Sequence, residues 1–255
     1  MLKVRNQLPR LGTRKLHYML AASMRELGVG RDKLFTILKA NHLCVEPKRS
    51  YRTTTNSHHR FRKHKNLVAG MPLTRPEQVW ASDITYVGGR DRHGYLSLVT
   101  DVYSKKVVGY DLSDNLGVEG TLRALRMAVR QRLYLDEPLI HHSDRGIQYC
   151  SDAYQKLLEK KRIACSMTES YDPYANAVAE RVNGILKGEF QLEQYDADLE
   201  TMKQLVGNSV RIYNTIRPHY SCHMLTPEQM HHQRTVKVRT YKKTEGIKAS
   251  LDTFC

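Results

Sequence analysis

The sequence predicts an α/β fold: a mixed five-stranded sheet flanked by helices, behind a small N-terminal helical domain. Three observations carry the prediction. Between residues 76 and 112, three β-rich runs follow one another with short turns, which makes an antiparallel meander. From residue 118 onward, helical and strand-like runs alternate, which extends the sheet and covers both its faces with helices. The charge also changes near residue 76. Residues 1–75 carry 17 Lys and Arg against 3 Asp and Glu, whereas residues 76–232 carry 18 against 21.

These shifts divide the chain into a helical domain over 1–46, a basic linker over 47–75, a core over 76–232 and a basic tail over 233–255. A chain of 255 residues can hold one sizeable core and one small domain. The formal net charge is +15. Concentrated in the arms, that charge reads as a grip on a polyanion, most often nucleic acid. The five cysteines form no C-x-x-C pair, which argues for a reducing compartment and against a disulfide framework or a Cys-based zinc site. With no signal peptide and no long apolar run, the expectation is a soluble, cytoplasmic protein without a membrane partner.

The first helix is expected to open at Leu11-Gly12-Thr13, with Thr13 as cap and Leu16, Met19 and Leu20 as its apolar stripe. Gly28-Val29-Gly30 makes the turn. Arg31–Ala40 gives a second helix with Leu34, Ile37 and Leu38 inward. A helix, a glycine turn and a helix that starts basic suit a helix-turn-helix on DNA, with Arg14, Lys15, Arg31 and Lys33 as candidate contacts. An ordinary helical hairpin has the same spacing, and the charge favours DNA. In the linker, Arg60, Arg62 and Lys63 belong to an aperiodic basic run of the kind that lies along phosphates. His58, His59 and His64 lack the cysteine pair that finger-type zinc spacing would require.

Strands are expected at Val79–Val87, Tyr95–Val102, Lys106–Leu112, Leu139–His142 and Ile163–Met167, and helices at Val118–Leu133, Asp152–Lys161, around Glu180, and over Leu199–Ile216. The Val118–Leu133 helix would bury Leu122, Leu125, Val129 and Leu133. Three acids stand out against this background. Asp83 sits inside the apolar run of the first strand, and Asp144 ends the fourth. Glu180 lies on a helix, where Asn176, Ala177, Asn183, Gly184 and Lys187 fall within roughly 60° of it at about 100° per residue. Val178, Val182, Ile185 and Leu186 fall on the other side. If the first and fourth strands are neighbours, Asp83 and Asp144 meet and raise each other's pKa. A hard divalent cation relieves that repulsion; Mg²⁺ takes few carboxylates plus waters and phosphate oxygens, and Mn²⁺ would substitute. Asp101, Asp111 and Asp152 are rival acids near element ends, where structural roles are commoner.

The words around these acids carry a resemblance. They are Trp80-Ala81-Ser82-Asp83-Ile84-Thr85-Tyr86, His141-His142-Ser143-Asp144-Arg145-Gly146-Ile147-Gln148-Tyr149 and Asn176–Lys187, joined by Tyr213–His219 and Leu225–Glu228. Together they resemble bacterial insertion-sequence transposases of the second-reading-frame type, whose core is like that of retroviral integrases. The likeness runs from about Pro9 to Gln233. It implies an RNase H-like fold, with Asp83, Asp144 and Glu180 as the metal-binding catalytic triad. It also implies that Lys187 contacts DNA near the scissile end, with Arg181 and Asn176 beside it. The implied reaction is cleavage at terminal inverted repeats followed by strand transfer into target DNA, by two-metal-ion phosphoryl transfer. No nucleotide-binding loop is needed for it, and none is present. The implied setting is the bacterial nucleoid, with a homodimer or larger assembly on DNA. A further partner would be the first-reading-frame product, whose region the chain lacks before Met1. Competing readings are a DNA-binding protein without catalysis, which the complete triad argues against, and a structure-selective nuclease on the same fold.

Overall fold

The computed structural model describes residues 1–45, 64–89, 93–168 and 177–234. Four short helices open the chain: α1 (Leu2–Gln7), α2 (Thr13–Met19), α3 (Ala21–Glu26) and α4 (Arg31–Ala40). The core follows as β1 (Val79–Gly88), β2 (His93–Asp101), β3 (Val107–Ser113), α5 (Val118–Arg130), β4 (Leu139–Ser143), α6 (Ile147–Cys150), α7 (Asp152–Lys160), β5 (Ile163–Met167), α8 (Ala177–Gly188), α9 (Leu199–Thr215) and α10 (Pro227–His231).

The five strands form one sheet in the order β3-β2-β1-β4-β5. The pairs β1/β2 and β2/β3 are antiparallel, and β1/β4 and β4/β5 are parallel. This is the expected mixed sheet, with the meander on one side and the crossover strands on the other. Successive side chains of a strand point to opposite faces, so the sheet serves two cores. Leu96, Leu98 and Val107 pack on one face with Val182, Ile185 and Leu186 of α8 and Val206 and Val210 of α9. Trp80, Val99 and Val108 pack on the other with Leu122, Leu125 and Ala128 of α5 and Tyr154 and Leu158 of α7. Gly109 sets how closely α5 lies on β3, since a Cβ there would stand 2.1 Å from the Ala124 carbonyl oxygen.

Side chains close the backbone ends that the sheet leaves open. Ser151 caps α7, Asp198 caps α9, and Thr226 and Gln229 form a capping box on α10. Asn214 of α9 accepts from the Val107 amide and donates to its carbonyl, pairing the outer strand β3 where the sheet has no further strand among the described residues. Tyr213 donates to the Lys105 carbonyl. Arg217 is buried and donates two bonds to Glu189, at 2.7 and 2.8 Å. The Tyr213–His219 word thus fastens α9 to the sheet and to the end of α8.

The N-terminal helices pack on this same face, since Leu8, Leu11, Leu16, Leu34 and Leu38 join the core of α8 and α9. Several expectations are corrected here. Gly12, not Thr13, occupies the cap position, and Thr13 is buried. The first long helix divides at Leu20 into α2 and α3. Ile37 is 40% exposed, because only Leu34 and Leu38 of α4 face inward. Leu133 lies past the end of α5 and is exposed. The expected linker is docked at its C-terminal end: Lys65 accepts from the Met167 amide, and the Leu67 amide donates to Ser166, so the chain runs along β5. The rest of the linker, residues 47–63, together with residue 46 before it and the tail from 235, lies outside the described residues.

Candidate active site

Parallel register brings Asp83 and Asp144 together. Ser82 of β1 pairs with Ser143 of β4, so the next residue on each strand is one of the two aspartates. Neighbouring strands stand about 4.8 Å apart. Beneath the pair, His141 ties the strands to α7: its Nε2 lies 2.7 Å from Ser82 Oγ and 2.8 Å from the Tyr154 hydroxyl. Complete burial, with a smaller push from His142, lowers the His141 pKa to about 3, so the ring is neutral. His142 bonds Ser166 of β5 at 2.9 Å. The two histidines therefore act as braces between strands.

The two carboxyls are held differently. Asp144 Oδ1 accepts from the Gly146 amide at 2.9 Å, and a Cβ on Gly146 would crowd that same oxygen. Asp83 Oδ2 accepts from the Asn183 side-chain amide at 2.7 Å. Burial, then the charge of Asp144, and more weakly that of Glu180, push the Asp83 carboxyl up to about 7, against the pull of the Ile84 amide and Asn183.

Helix α8 lies along β1. Asn183 reaches Asp83, and four residues later the Lys187 ammonium stands 3.4 Å from Thr85 Oγ1, two residues along the strand. Four helical residues span about 6 Å and two strand residues about 6.6 Å, so helix and strand advance together. Glu180 is one turn before Asn183, in the first turn of α8, and is exposed. It is electrostatically coupled to Asp83. Among the described residues, however, no three His, Cys, Asp or Glu side chains converge closely enough to enclose an ion. The structure joins the two aspartates and leaves the glutamate at the rim.

The other expected contacts are spread out. Arg181, Arg14, Arg31 and Lys33 are exposed, and Arg31 pairs with Asp32 at 2.9 Å. Lys15 is turned inward, a correction to its reading as a DNA contact: its ammonium lies 3.7 Å from Glu189 and over the Tyr220 ring. Burial and the neighbouring Arg217 lower its pKa to about 8. Asn176, Arg60, Arg62 and Lys63 lie outside the described residues. Two of the rival acids have structural partners: Asp111 pairs with Arg123, and Asp101 accepts from the Glu77 amide and from Ser104; Asp152 lies in the first turn of α7.

Asn183 is the site residue that sequence reasoning left unassigned. Its signal was its place one turn after Glu180 on the same helical face. A cleft of about 280 Å³ opens beside the aspartates, lined also by Ile84, Tyr86, Tyr95, Leu116, Ile147 and Tyr149.

Comparison with known proteins agrees with this architecture. Two families, both described as "Integrase core domain", match residues 74–173 and 161–227. The "Insertion element IS600 uncharacterized 31 kDa protein" of Shigella sonnei is 38% identical over 179 residues, covering 70% of this chain and 65% of that protein. "Transposase InsF for insertion sequence IS3fB" of Escherichia coli (strain K12) is 35% identical over 161 residues, covering 62% of this chain and 55% of that one. The chain thus spans between about half and two thirds of the length of these curated relatives. Among solved structures, a chain of the simian T-cell lymphotropic virus intasome in complex with PP2A regulatory subunit B56 gamma superposes with a TM-score of 0.54. It is 20% identical, with 91% of this chain and 79% of that chain covered; at that identity the likeness is one of fold. With integrase-core matches running from residue 74 to residue 227, the chain carries an integrase core domain and is similar in sequence to insertion-sequence transposases.

Proposed function

We propose that the chain cleaves DNA at the ends of an insertion element and transfers the freed strand to target DNA, with Asp83, Asp144 and Glu180 as its catalytic acids. The observation that carries the reading is the meeting of Asp83 and Asp144 across the β1/β4 register. Two carboxyls that repel in a half-buried site, with one pKa raised to about 7, are costly unless a cation joins them.

The residues fit a divalent ion. The donors are all oxygen and few in number, as Mg²⁺ prefers, with Mn²⁺ as a substitute. Asp83 and Asp144 would hold it, joined by Glu180 once the first turn of α8 closes on the pair. When bound, a pair of such ions supplies Lewis-acid stabilisation for an in-line exchange at phosphorus. The chain's own residues do the rest. Asn183 fixes the rotamer of Asp83, and the Gly146 amide fixes that of Asp144. Lys187, beside Thr85, offers a cation to the strand that crosses the site. Arg181, Asn176 and the exposed basic residues Arg14, Arg31 and Lys33, with Arg60, Arg62 and Lys63 of the linker, hold phosphates. In this reading residues 1–46 act as a helix-turn-helix on the terminal inverted repeats.

Joining two ends to one target requires two sites held together, so the active form is a dimer or larger on DNA, in the bacterial nucleoid. The first-reading-frame product is a candidate partner in that assembly. No described helix is long and apolar enough to cross a membrane.

The test is an end duplex taken from the DNA flanking the gene, incubated with Mg²⁺ or Mn²⁺. Asp83→Asn, Asp144→Asn and Glu180→Gln should each abolish cutting and leave binding intact. Normal strand transfer by any of the three refutes the assignment.

A further inference from the structure

We propose that the cleft beside Asp83 and Asp144 is a nucleobase subsite, in which Tyr86 and Tyr95 stack on an unpaired base of the DNA strand whose phosphate lies at the aspartates. The inference rests on the DNA reading above and adds a ligand to a part of the site that the carboxyls do not use.

Tyr86 and Tyr95 sit directly opposite each other in the β1/β2 pairing. Their ring centroids are 5.0 Å apart with planes tilted by 53°. His93 adds a third ring, 5.5 Å from Tyr86 and 5.7 Å from Tyr95. The three rings share one face of the hairpin, by the two-residue alternation of strands. Further along that face Trp80 and Val99 are buried under helices, but Tyr86 and Tyr95 remain half-buried and His93 exposed. Both tyrosines line the cleft that holds the aspartates. Leu116 and Ile147 line it as well, and they are 40% and 45% exposed. Apolar and aromatic groups left open around one cleft mark a binding surface.

The chemistry selects the occupant. A phosphate would be repelled by the two aspartates unless a cation intervened, and among the described residues that line the cleft none is a lysine or an arginine. A base offers what that end can use, since every base has a π-face and stacks on tyrosine with little regard to sequence. Tyr86 is three residues beyond Asp83 on β1, about 10 Å at ~3.3 Å per residue, and its side chain leaves the opposite face of the strand; the two meet in one cleft because β1 runs on past the end of its pairing with β4, so a phosphate at the aspartates leaves an adjoining base within reach of the rings. A cleft of about 280 Å³ is at the small end of ligand pockets and suits one base. Such a base must leave its partner, which costs least at a frayed or single-stranded end.

The experiment uses the full chain and a short oligonucleotide, single-stranded at its end, with 2-aminopurine as the terminal or penultimate base. Stacking quenches that base, and the readout is independent of cutting. The unaltered chain should quench it, with or without Ca²⁺. Tyr86→Leu and Tyr95→Leu should lose the quench and bind the single-stranded end about tenfold more weakly, with affinity for blunt duplex unchanged. Tyr86→Phe and Tyr95→Phe keep the ring and should behave as the unaltered chain. An abasic nucleotide in place of 2-aminopurine should cost the unaltered chain a similar factor, a measurement that does not depend on any variant folding. Full quenching by the Leu variants, or undiminished affinity for the abasic strand, overturns the subsite. Asp83→Asn should quench normally. A chain that quenches but cuts no end duplex in Mn²⁺ therefore sinks the catalytic reading alone, and one that cuts without quenching sinks the subsite alone.

Discussion

At the start of β1, Glu77 is fully buried and accepts from the amides of Leu133 and Tyr134 at 2.8 and 2.9 Å, with Arg132 at 3.5 Å and His231 of α10 at 3.5 Å. Asp101, equally buried at the end of β2, accepts from the Glu77 amide and from the amide and hydroxyl of Ser104, and Ser104 Oγ also meets His231. Six residues along the same strand, Asp83 has one side-chain amide and a second aspartate beside it. Both clusters contain acids that the fold removes from water, but Glu77 and Asp101 meet several donors together with Arg132 and His231, whereas Asp83 accepts from the Asn183 and Ile84 amides and faces a second acid. In the first cluster, hydrogen bonds and His231 outweigh burial and hold Glu77 below the usual carboxylate range, whereas Asp83 is pushed up. A compensated cluster holds the fold together. A carboxyl pushed up by burial and by a second acid, as Asp83 is, carries a demand for positive charge, and such sites are where function concentrates.

The sharpest way to break this comparison is to exchange the consequences of the two clusters. Asp144→Asn should lower end cleavage by a factor on the order of 10³ or more, since ion-held phosphoryl groups owe several kcal/mol of transition-state stabilisation to the site. Glu77→Gln should leave the activity of each folded molecule unchanged. Gel assay of end-duplex cutting, normalised to folded protein, decides it; a comparable loss in Glu77→Gln would erase the distinction. Stability should show the reverse. Glu77→Gln leaves His231 and Arg132 with an uncharged partner and should cost about 3 kcal/mol, as for breaking a buried ion pair. Asp83→Asn in metal-free buffer should cost nothing or add stability. Urea unfolding of the two variants measures both.

The pH dependence of stability is a smaller effect, with its sign set by the same groups. Asp101 and Glu77 raise the His231 pKa above its ordinary 6.5 against the effect of burial. Its contribution is fully present below that value and is lost as pH rises through the raised one. Glu77 works in the opposite sense: its contribution is present above 4.5 and is lost as pH falls through its lowered value. The clamp should therefore be strongest between roughly pH 4.5 and 6.5. Asp83 adds a decline of the same sign that begins at lower pH, because a carboxyl raised from 3.8 to about 7 loses stability as pH climbs between those two values and no further above them. Melting temperatures in EDTA should fall between pH 6 and 8. Mg²⁺ should reverse the Asp83 share, and His231→Gln should remove the His231 share. A flat profile would mean that neither group is coupled to folding.

The two clusters also differ in how far the sequence disclosed them. Asp83 and Asp144 were legible, because an acid inside an apolar strand and another at a strand end before Arg145-Gly146 break their local patterns, and the fold then put those strands side by side. The sheet was legible for the same reason, its turns and apolar runs being local signals. Glu77 gave no such signal. It precedes β1 in a polar stretch, its partners come from residues 101 to 231, and its left-handed φ of 52° depends on contacts that no local window contains. Lys15 misled for a related reason: a lysine in a basic arm looks solvent-directed until Glu189 and Arg217, far along the chain, are seen to enclose it. Asn183 lay between these cases, visible on the face of Glu180 but without a stated partner until α8 was placed on β1.

Asn183 also offers the finest test of the comparison, because among the described residues its side chain donates to Asp83 and partly compensates it. Its amide favours the charged carboxylate and fixes which oxygen faces the cleft. Removing it with Asn183→Ala should raise the Asp83 pKa further and let the carboxyl rotate, so the ion would have to displace a proton and restore the rotamer before it could bind. Changes to groups that orient metal ligands commonly cost ten- to a hundredfold in affinity or activity. With Asp144 still in place, the expected loss is about tenfold in apparent Mg²⁺ affinity, read from cleavage against Mg²⁺ concentration. The rate at saturating Mg²⁺ should recover to within a few-fold, and raising the pH should narrow the gap, since deprotonation then no longer competes with the ion. A variant that stays slow at every Mg²⁺ concentration and every pH would place Asn183 in contact with the reacting strand instead. The compensation of Asp83 would then have to come from the Ile84 amide and the ion.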